Sequence, residues 1–146
     1  MLVVCMGNIC RSPMAEGLLR YRLAGRAEPK TTSAGIGALV SHPADPIAVE
    51  LMAARGIDIS AHRGRQLDKP TLLAHGLVLV MERAHLYWIS SRYPEARGRV
   101  FLLGHWRDGE DVVDPYRQER PVFEHALDQI DVYLGDWLKR LAIGFK

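Results

Sequence analysis

A thiol and a guanidinium stand at the two ends of the short run Cys5-Met6-Gly7-Asn8-Ile9-Cys10-Arg11-Ser12, between the apolar stretch Leu2-Val3-Val4 and Pro13. Read as chemistry, the run is a phosphate trap with a nucleophile in its floor. Leu2, Val3 and Val4 have the partly β-branched, apolar character of a strand buried in a parallel sheet. Ser12 suits a helix N-cap and Pro13 the first helical position, so the run is expected to join a strand end to a helix start. Gly7 permits a tight turn and close approach of backbone N–H groups to a ligand, and Asn8 tolerates left-handed backbone angles that most residues avoid. The N–H groups of Met6, Gly7, Asn8, Ile9, Cys10, Arg11 and Ser12 then form a nest for an oxyanion, helped by the positive end of the following helix. Thiols at helix N-termini and beside cations titrate at roughly 3.5 to 7.5, against about 8.5 for a free thiol. A resting thiolate is therefore predicted at Cys5. Arg11 adds a planar fork that holds two phosphate oxygens at once, and the Ser12 hydroxyl is within reach to steady the sulfur as thiolate and as leaving group.

Cleaving a phosphate monoester also requires a proton for the departing oxygen. Asp114 is the candidate, in Val112-Val113-Asp114-Pro115-Tyr116, about a hundred residues further on, where two β-branched residues lead into an Asp-Pro break. Tyr116 would wall the cleft. Plainer readings exist for each residue. Cys5 and Cys10 suit two buried small hydrophobes or half of a zinc site, although two cysteines and no histidine pair at ligand spacing speak against metal. An Asp-Pro alone is more often a turn than an acid. The conjunction of Cys-x5-Arg, the internal Gly-Asn, the trailing Ser-Pro and the distant Asp-Pro-Tyr favours function.

Val4 to Pro13 resembles the signature loop of the low-molecular-weight protein tyrosine phosphatases, and Asp114-Pro115-Tyr116 resembles their general-acid loop. Ser33-Ala34-Gly35 and His62-Arg63-Gly64-Arg65-Gln66 match further family segments, so the likeness spans nearly the whole chain. It implies that Asn8, Ser33 and His62 hold the phosphate loop in its strained shape, alongside Ser12. From the residues alone, Ser33 reads as an ordinary strand-end serine and His62 as a surface or core histidine. Gly37-Ala38-Leu39, Leu103-Gly104-His105-Trp106 and Asp114-Pro115-Tyr116-Arg117 resemble the bacterial branch paired with autophosphorylating tyrosine kinases of capsule and exopolysaccharide export. On the cleft rim, Leu39 stands where animal members commonly carry an aromatic residue, and Arg117 where many carry a second tyrosine. These two imply less ring stacking and more positive charge; each alone also reads as rim packing or a solvated side chain. The implied activity is hydrolysis of phosphotyrosine through a cysteinyl-phosphate, with a kinase tail as substrate, inorganic phosphate as product and no cofactor or metal.

Rival functions are distinguishable by residue. Thiol-dependent arsenate reductases of this fold relay oxidation through cysteines downstream, and none follows Cys10 here. Protein-arginine phosphatases typically place threonine where this loop has Ile9, whose apolar side chain better fits an aryl ester. A phosphotyrosine-binding module without turnover would have no use for Cys5 or Asp114. Cys10 itself reads either as a buried spacer or as a partner that forms a reversible disulfide with Cys5 under oxidation.

The elements that must position these groups alternate along the chain. Helical spacing of Ala15, Leu18, Leu19 and Leu23 follows the loop; Lys30 to Ser33 reads as a strand, and Pro46 to Arg55 as a helix ended by Gly56. Residues 76 to 81 form the clearest buried strand; a helix near 84 to 92, a strand at 99 to 103 and a last helix over 120 to 141 follow. This predicts one α/β domain over residues 1–146 with a parallel sheet between two helix layers and the ligand at strand C-terminal ends. Family likeness implies a three-layer, four-stranded, flavodoxin-like sheet. The 146 residues carry a net charge of +2 with no long basic stripe, which argues against nucleic acid as a partner. No run approaches the ~20 apolar residues of a membrane span, and a working thiolate together with only two cysteines points to the cytoplasm. A native start a few residues upstream of Met1 is expected from how soon the first strand begins. Trp88, Trp106 and Trp137 read as core or interface anchors, and Glu16 as a favourable charge near the helix start. Arg63 and Arg65 are placed near the site or in solvent, and His42, His75, His85, His105 and His125 receive no role.

Overall fold

The computed structural model describes residues 1–24, 26 and 29–141. Four parallel strands form one sheet in the order β2-β1-β3-β4: β1 Leu2–Cys5, β2 Thr32–Gly35, β3 Val78–Val80 and β4 Val100–Leu102. Helices α1 (Arg11–Arg22), α2 (Pro46–Ala54), α3 (Lys69–Leu73), α4 (Arg83–Arg92) and α5 (Arg120–Arg140) lie between and after them. This is the flavodoxin-like α/β arrangement. The last five residues of the predicted domain lie outside the described residues.

Side-chain alternation along β1 explains the two layers. Val3 and Cys5 point into the core shared with α1, α2 and α5, whereas Leu2 and Val4 point into the core beneath α4. All four are buried, and each fully buried aliphatic side chain contributes about 1.5–3 kcal/mol relative to exposure, so short strands suffice. On the first face, α5 presents Phe123, Ala126, Leu127, Ile130, Leu134 and Leu138 at helical spacing to α1 and the sheet.

Caps set the helix limits. Asp45 accepts from the Ile47 N–H (2.9 Å) ahead of Pro46, and the chain leaves α2 through Gly56 at φ 77°. Asp68 likewise accepts from the Thr71 N–H (2.8 Å) and starts α3, a helix not foreseen from the sequence although Asp68 and Pro70 announce it. The strand expected at Lys30 to Ser33 runs two residues later, because Gly35 pairs with Cys5 at the sheet's C-terminal end. A glycine there reads as a strand breaker, but a Cβ on it would sit 2.6 Å from the Met6 carbonyl oxygen. The close approach of β2 to the loop is what requires it.

Of the three tryptophans, Trp137 is buried and donates to the Leu103 carbonyl at 2.9 Å, and Trp88 packs at a core margin. Trp106 is exposed, with the Arg140 guanidinium 4.4 Å from its ring centre. No described helix is long and apolar enough to cross a membrane.

Candidate active site

β1 is flanked by β2 on one side and β3 on the other, so its C-terminal end is the point where the strand order reverses. The chain leaves β1 at Cys5, loops through residues 6–10 and enters α1 at Arg11. This corrects the expected helix start. Cys10 occupies the N-cap position, and Ser12 lies inside the first turn with its hydroxyl turned away from capping, 2.9 Å from Cys5 Sγ. Asn8 takes the left-handed conformation predicted for it, at φ 57°. Gly7 has no positive φ, and an added Cβ there would meet only Ile9, at 3.7 Å. Its lack of a side chain keeps the loop open toward a ligand. Among the described residues, no acceptor takes the N–H groups of Gly7, Ile9 or Cys10.

The loop's hydrogen bonds have a determinable polarity that starts at a backbone donor. Arg65 donates its N–H to Asn8 Oδ1 (2.9 Å), which fixes the amide so that Nδ2 donates to both Ser12 Oγ (2.7 Å) and Ser33 Oγ (3.0 Å). With their oxygens accepting, the two hydroxyls turn their protons outward. Ser12 donates to Cys5 Sγ, and Ser33 donates to Glu16 Oε1 at 2.5 Å. The Asn8 N–H also points at Cys5 Sγ, at 3.3 Å. From the outer side, His62 Nε2 donates to the Asn8 carbonyl at 2.6 Å. Asn8 and Ser12 are fully buried, so this network is shielded from competing water. Glu16, read from sequence only as a favourable helix charge, ends the chain of donors and pairs with Arg20 at 2.6 Å. Of the two uncertain arginines, Arg65 enters through its backbone and Arg63 stays exposed, on the Ser60 and His62 carbonyls.

Arg11 is the bulkiest fully buried side chain among the described residues, at 1% exposure. Its Nη1 donates to the Val112 carbonyl (2.8 Å) and pairs with Glu82 Oε2 (2.7 Å), and its Nη2 lies 3.6 Å from Asp114 Oδ2. One guanidinium thus pins the acid segment and the start of α4 to the phosphate loop. Asp114 is half-exposed in an Asx turn, accepting from the Tyr116 N–H at 3.1 Å. Cys5, Arg11, Asp114, Leu39 and Tyr116 line one cavity of about 120 Å³, together with Met6, Gly7, Ile9, Cys10 and Gly37. Tyr116 is 40% exposed at its mouth, with the guanidinium of exposed Arg117, whose backbone φ is 62°, 5.2 Å from its ring centre. Of the site residues named from the sequence, Arg117 does not line this cavity and meets it only through the Tyr116 ring, while the others lie at the cavity or in the hydrogen-bond network around it. A larger open groove of about 600 Å³ beyond α1 touches Ser33 and His62 but does not reach Cys5.

Sequence reasoning missed Glu82 and His85. The available signal was a glutamate in an N-cap position, where it caps poorly. Cys10 is free and buried; burial, then the negative charges of Asp45, Cys5 and Asp114, push its thiol well above the ordinary range. Among the described residues, no group of three or more His, Cys, Asp or Glu is placed to hold a metal ion.

A nucleophile, a buried cation and a half-exposed carboxyl around one small cavity can transfer a phosphoryl group to sulfur and pass it to water. The family model of low molecular weight phosphotyrosine protein phosphatases matches residues 1–144. The chain belongs to that family. A Ralstonia nicotianae relative, "Probable low molecular weight protein-tyrosine-phosphatase EpsP", is 49% identical over 140 residues, 96% of this chain and 94% of that protein. The tyrosine phosphatase Wzb from Escherichia coli K30, solved with sulphate, superposes with a TM-score of 0.89 at 41% identity, over 96% of each chain. The YwlE arginine phosphatase from Geobacillus stearothermophilus superposes at 0.88 with 31% identity, over 97% of this chain and 91% of its own. Fold likeness alone therefore does not separate phosphotyrosine from phosphoarginine hydrolysis; residues in the cavity must.

Proposed function

We propose that this single-domain chain is a cytoplasmic protein-tyrosine phosphatase working through a cysteinyl-phosphate on Cys5. The observation that carries the reading is the convergence of Cys5 Sγ, Arg11 and Asp114 on one cavity, with the Ser12 hydroxyl donating to the sulfur. The phosphate dianion is held by loop N–H groups and Arg11. Cys5 attacks phosphorus in line, the P–O bond to the tyrosyl oxygen breaks, and Asp114 gives its proton to that oxygen. Water then attacks phosphorus, Asp114 takes its proton, the P–S bond breaks and the sulfur leaves with Ser12 donating to it. Arg11 acts by electrostatic positioning on the equatorial oxygens.

Ile9, buried and lining the cavity, favours an aryl ester over phosphoarginine. On the rim, Leu39 offers aliphatic contact, while Tyr116 and Arg117 together offer a ring edge and a positive charge. With the bacterial-branch segments, they support the tyrosine-rich tail of a polysaccharide-export kinase as substrate. A panel of phosphotyrosine, phosphoserine and phosphoarginine peptides tests the class: phosphotyrosine is expected to lead by roughly a hundredfold or more in kcat/KM. Preference for phosphoarginine would move the chain to the arginine phosphatases, and binding without turnover would make it a recognition module.

Cys10 serves as the resolving thiol in this reading. Peroxide oxidises Cys5 to a sulfenic acid, Cys10 sulfur attacks it with loss of water, and the resulting disulfide is reopened by an external thiol at a cost of two electrons. Burial and the surrounding negative charges push the Cys10 thiol up and keep it protonated, so it does not compete with Cys5 for the phosphoryl group. After peroxide treatment, Cys10→Ser is expected to recover a clearly smaller share of its activity with dithiothreitol than the unsubstituted protein. Equal recovery would remove this role.

A further inference from the structure

Behind Arg11 lies a pair of residues that the chemistry above does not use. Glu82 is the N-cap residue of α4, yet its side chain makes no capping hydrogen bond. That task passes to Asp111, whose Oδ1 accepts the Arg83 N–H at 2.9 Å from another segment. Released from capping, the Glu82 carboxylate sits 2.7 Å from Arg11 Nη1 and 3.5 Å from His85 Nε2, one helical turn along. His85 is 1% exposed, and neither of its ring nitrogens has a hydrogen-bond partner among the described residues. Burying an imidazole without a partner is costly, so its place beside a buried ion pair calls for a reason.

As a counter-ion Glu82 compensates the buried Arg11 charge, but that compensation does nothing for substrate binding. A carboxylate this close to the phosphate site repels an incoming dianion and weakens substrate binding. What it offers is direction. With Nη1 held between Glu82 and the Val112 carbonyl, the opposite edge of the guanidinium is fixed toward the loop. Donors aimed in advance at the equatorial oxygens are worth most in the transition state, when charge on those oxygens redistributes.

We propose that Glu82 and His85 are positioning residues for Arg11, the imidazole donating from Nε2 to the Glu82 carboxylate once that contact shortens by about half an ångström, and the carboxylate in turn fixing the guanidinium. This inference rests on the phosphatase reading. A neutral ring is the form able to donate singly from Nε2. Burial lowers its basicity in that direction, against the opposing charges of Glu82, Asp111 and Asp114 and with that of Arg11. The arrangement parallels the way a carboxylate orients a catalytic histidine, with the order of the two groups reversed.

Steady-state hydrolysis of a small aryl phosphate, inhibition by inorganic phosphate and thermal melting are to be measured for Glu82→Gln, His85→Gln and His85→Leu. Glu82→Gln is expected to lose roughly ten- to a hundredfold in kcat, while phosphate inhibits as tightly as before or more tightly, since a repelling charge is gone. His85→Leu should lose several-fold in kcat, and His85→Gln, whose amide presents a donor near the Nε2 position, should recover most of it. Wild-type kcat in both Glu82→Gln and His85→Leu would overturn the proposal. So would a His85→Gln rate as low as that of His85→Leu, which marks a packing role. Should Glu82→Gln fail to fold, the two His85 variants decide the matter alone. If the unsubstituted protein hydrolyses no aryl phosphate, the phosphatase reading itself fails, visibly and before any variant is compared.

Discussion

Replacing Cys5 with serine is expected to leave a folded protein that binds phosphate and turns over no aryl phosphate. The sulfur lies buried beneath the loop, with the Ser12 hydroxyl at 2.9 Å and the Asn8 N–H at 3.3 Å both donating to it. Those donors stabilise negative charge on sulfur and would do the same for an alkoxide. A serine hydroxyl, however, keeps its proton at neutral pH, and among the described residues no basic side chain hydrogen-bonds position 5 to remove it. Asp114 lines the same cavity but is proposed to serve the leaving group. The cradle itself is built from backbone groups and Arg11, so phosphate binding measured by calorimetry should persist. Turnover should fall below detection, a loss of many orders of magnitude given the slowness of uncatalysed monoester hydrolysis. Activity within tenfold of the unsubstituted protein would show that another nucleophile carries the reaction.

Asp114→Asn is expected to lose rate in proportion to how badly the leaving group needs a proton. For phosphotyrosine the loss should be about 10²–10⁴-fold in kcat. For an activated aryl phosphate, whose phenolate departs unaided, the first step should slow little. The side chain is placed for this difference. It is half-exposed, held in an Asx turn ahead of Pro115 and kept 3.6 Å from Arg11 Nη2, free enough to reach the ester oxygen and tethered enough to stay over the cavity. The Val112 carbonyl on Arg11 Nη1 fixes the segment that carries it. Equal losses in the first step, read as the burst rate or kcat/KM, on activated and unactivated substrates would refute the acid assignment and leave Asp114 a structural turn.

These two residues were legible in the sequence for a simple reason. Cys5 to Ser12 is contiguous, so spacing alone places its groups around one anion, and the strained Asn8 announces itself by residue type. Asp114 is marked by the proline that follows it. Glu82, His85 and Glu16 were illegible because their meaning lies in partners brought near only by the sheet: β3 lies beside β1, and this delivers Glu82 to Arg11. Ser12 was misread as a cap for a related reason. Its local preference is real, but Asn8 and Cys5 claim its hydroxyl, and α1 begins at Arg11, two residues ahead of Pro13. The alternation of strands and helices gave the layers by periodicity, whereas the edge of β2 shifted because Met6 needs a glycine at position 35.

Trapping the phosphoryl group on the protein tests the covalent route most directly. Asp114→Asn mixed with an activated aryl phosphate should complete the first step and stall at the second, since no base remains to activate water. Denaturing the mixture within milliseconds, at a pH where P–S bonds survive, and mapping the peptides by mass spectrometry should then find one phosphoryl group, on the peptide bearing Cys5, and none when Cys5 is serine. Product release with no phosphorylated Cys5 peptide, or label on any other side chain, would contradict a cysteinyl-phosphate and with it the role assigned to the loop.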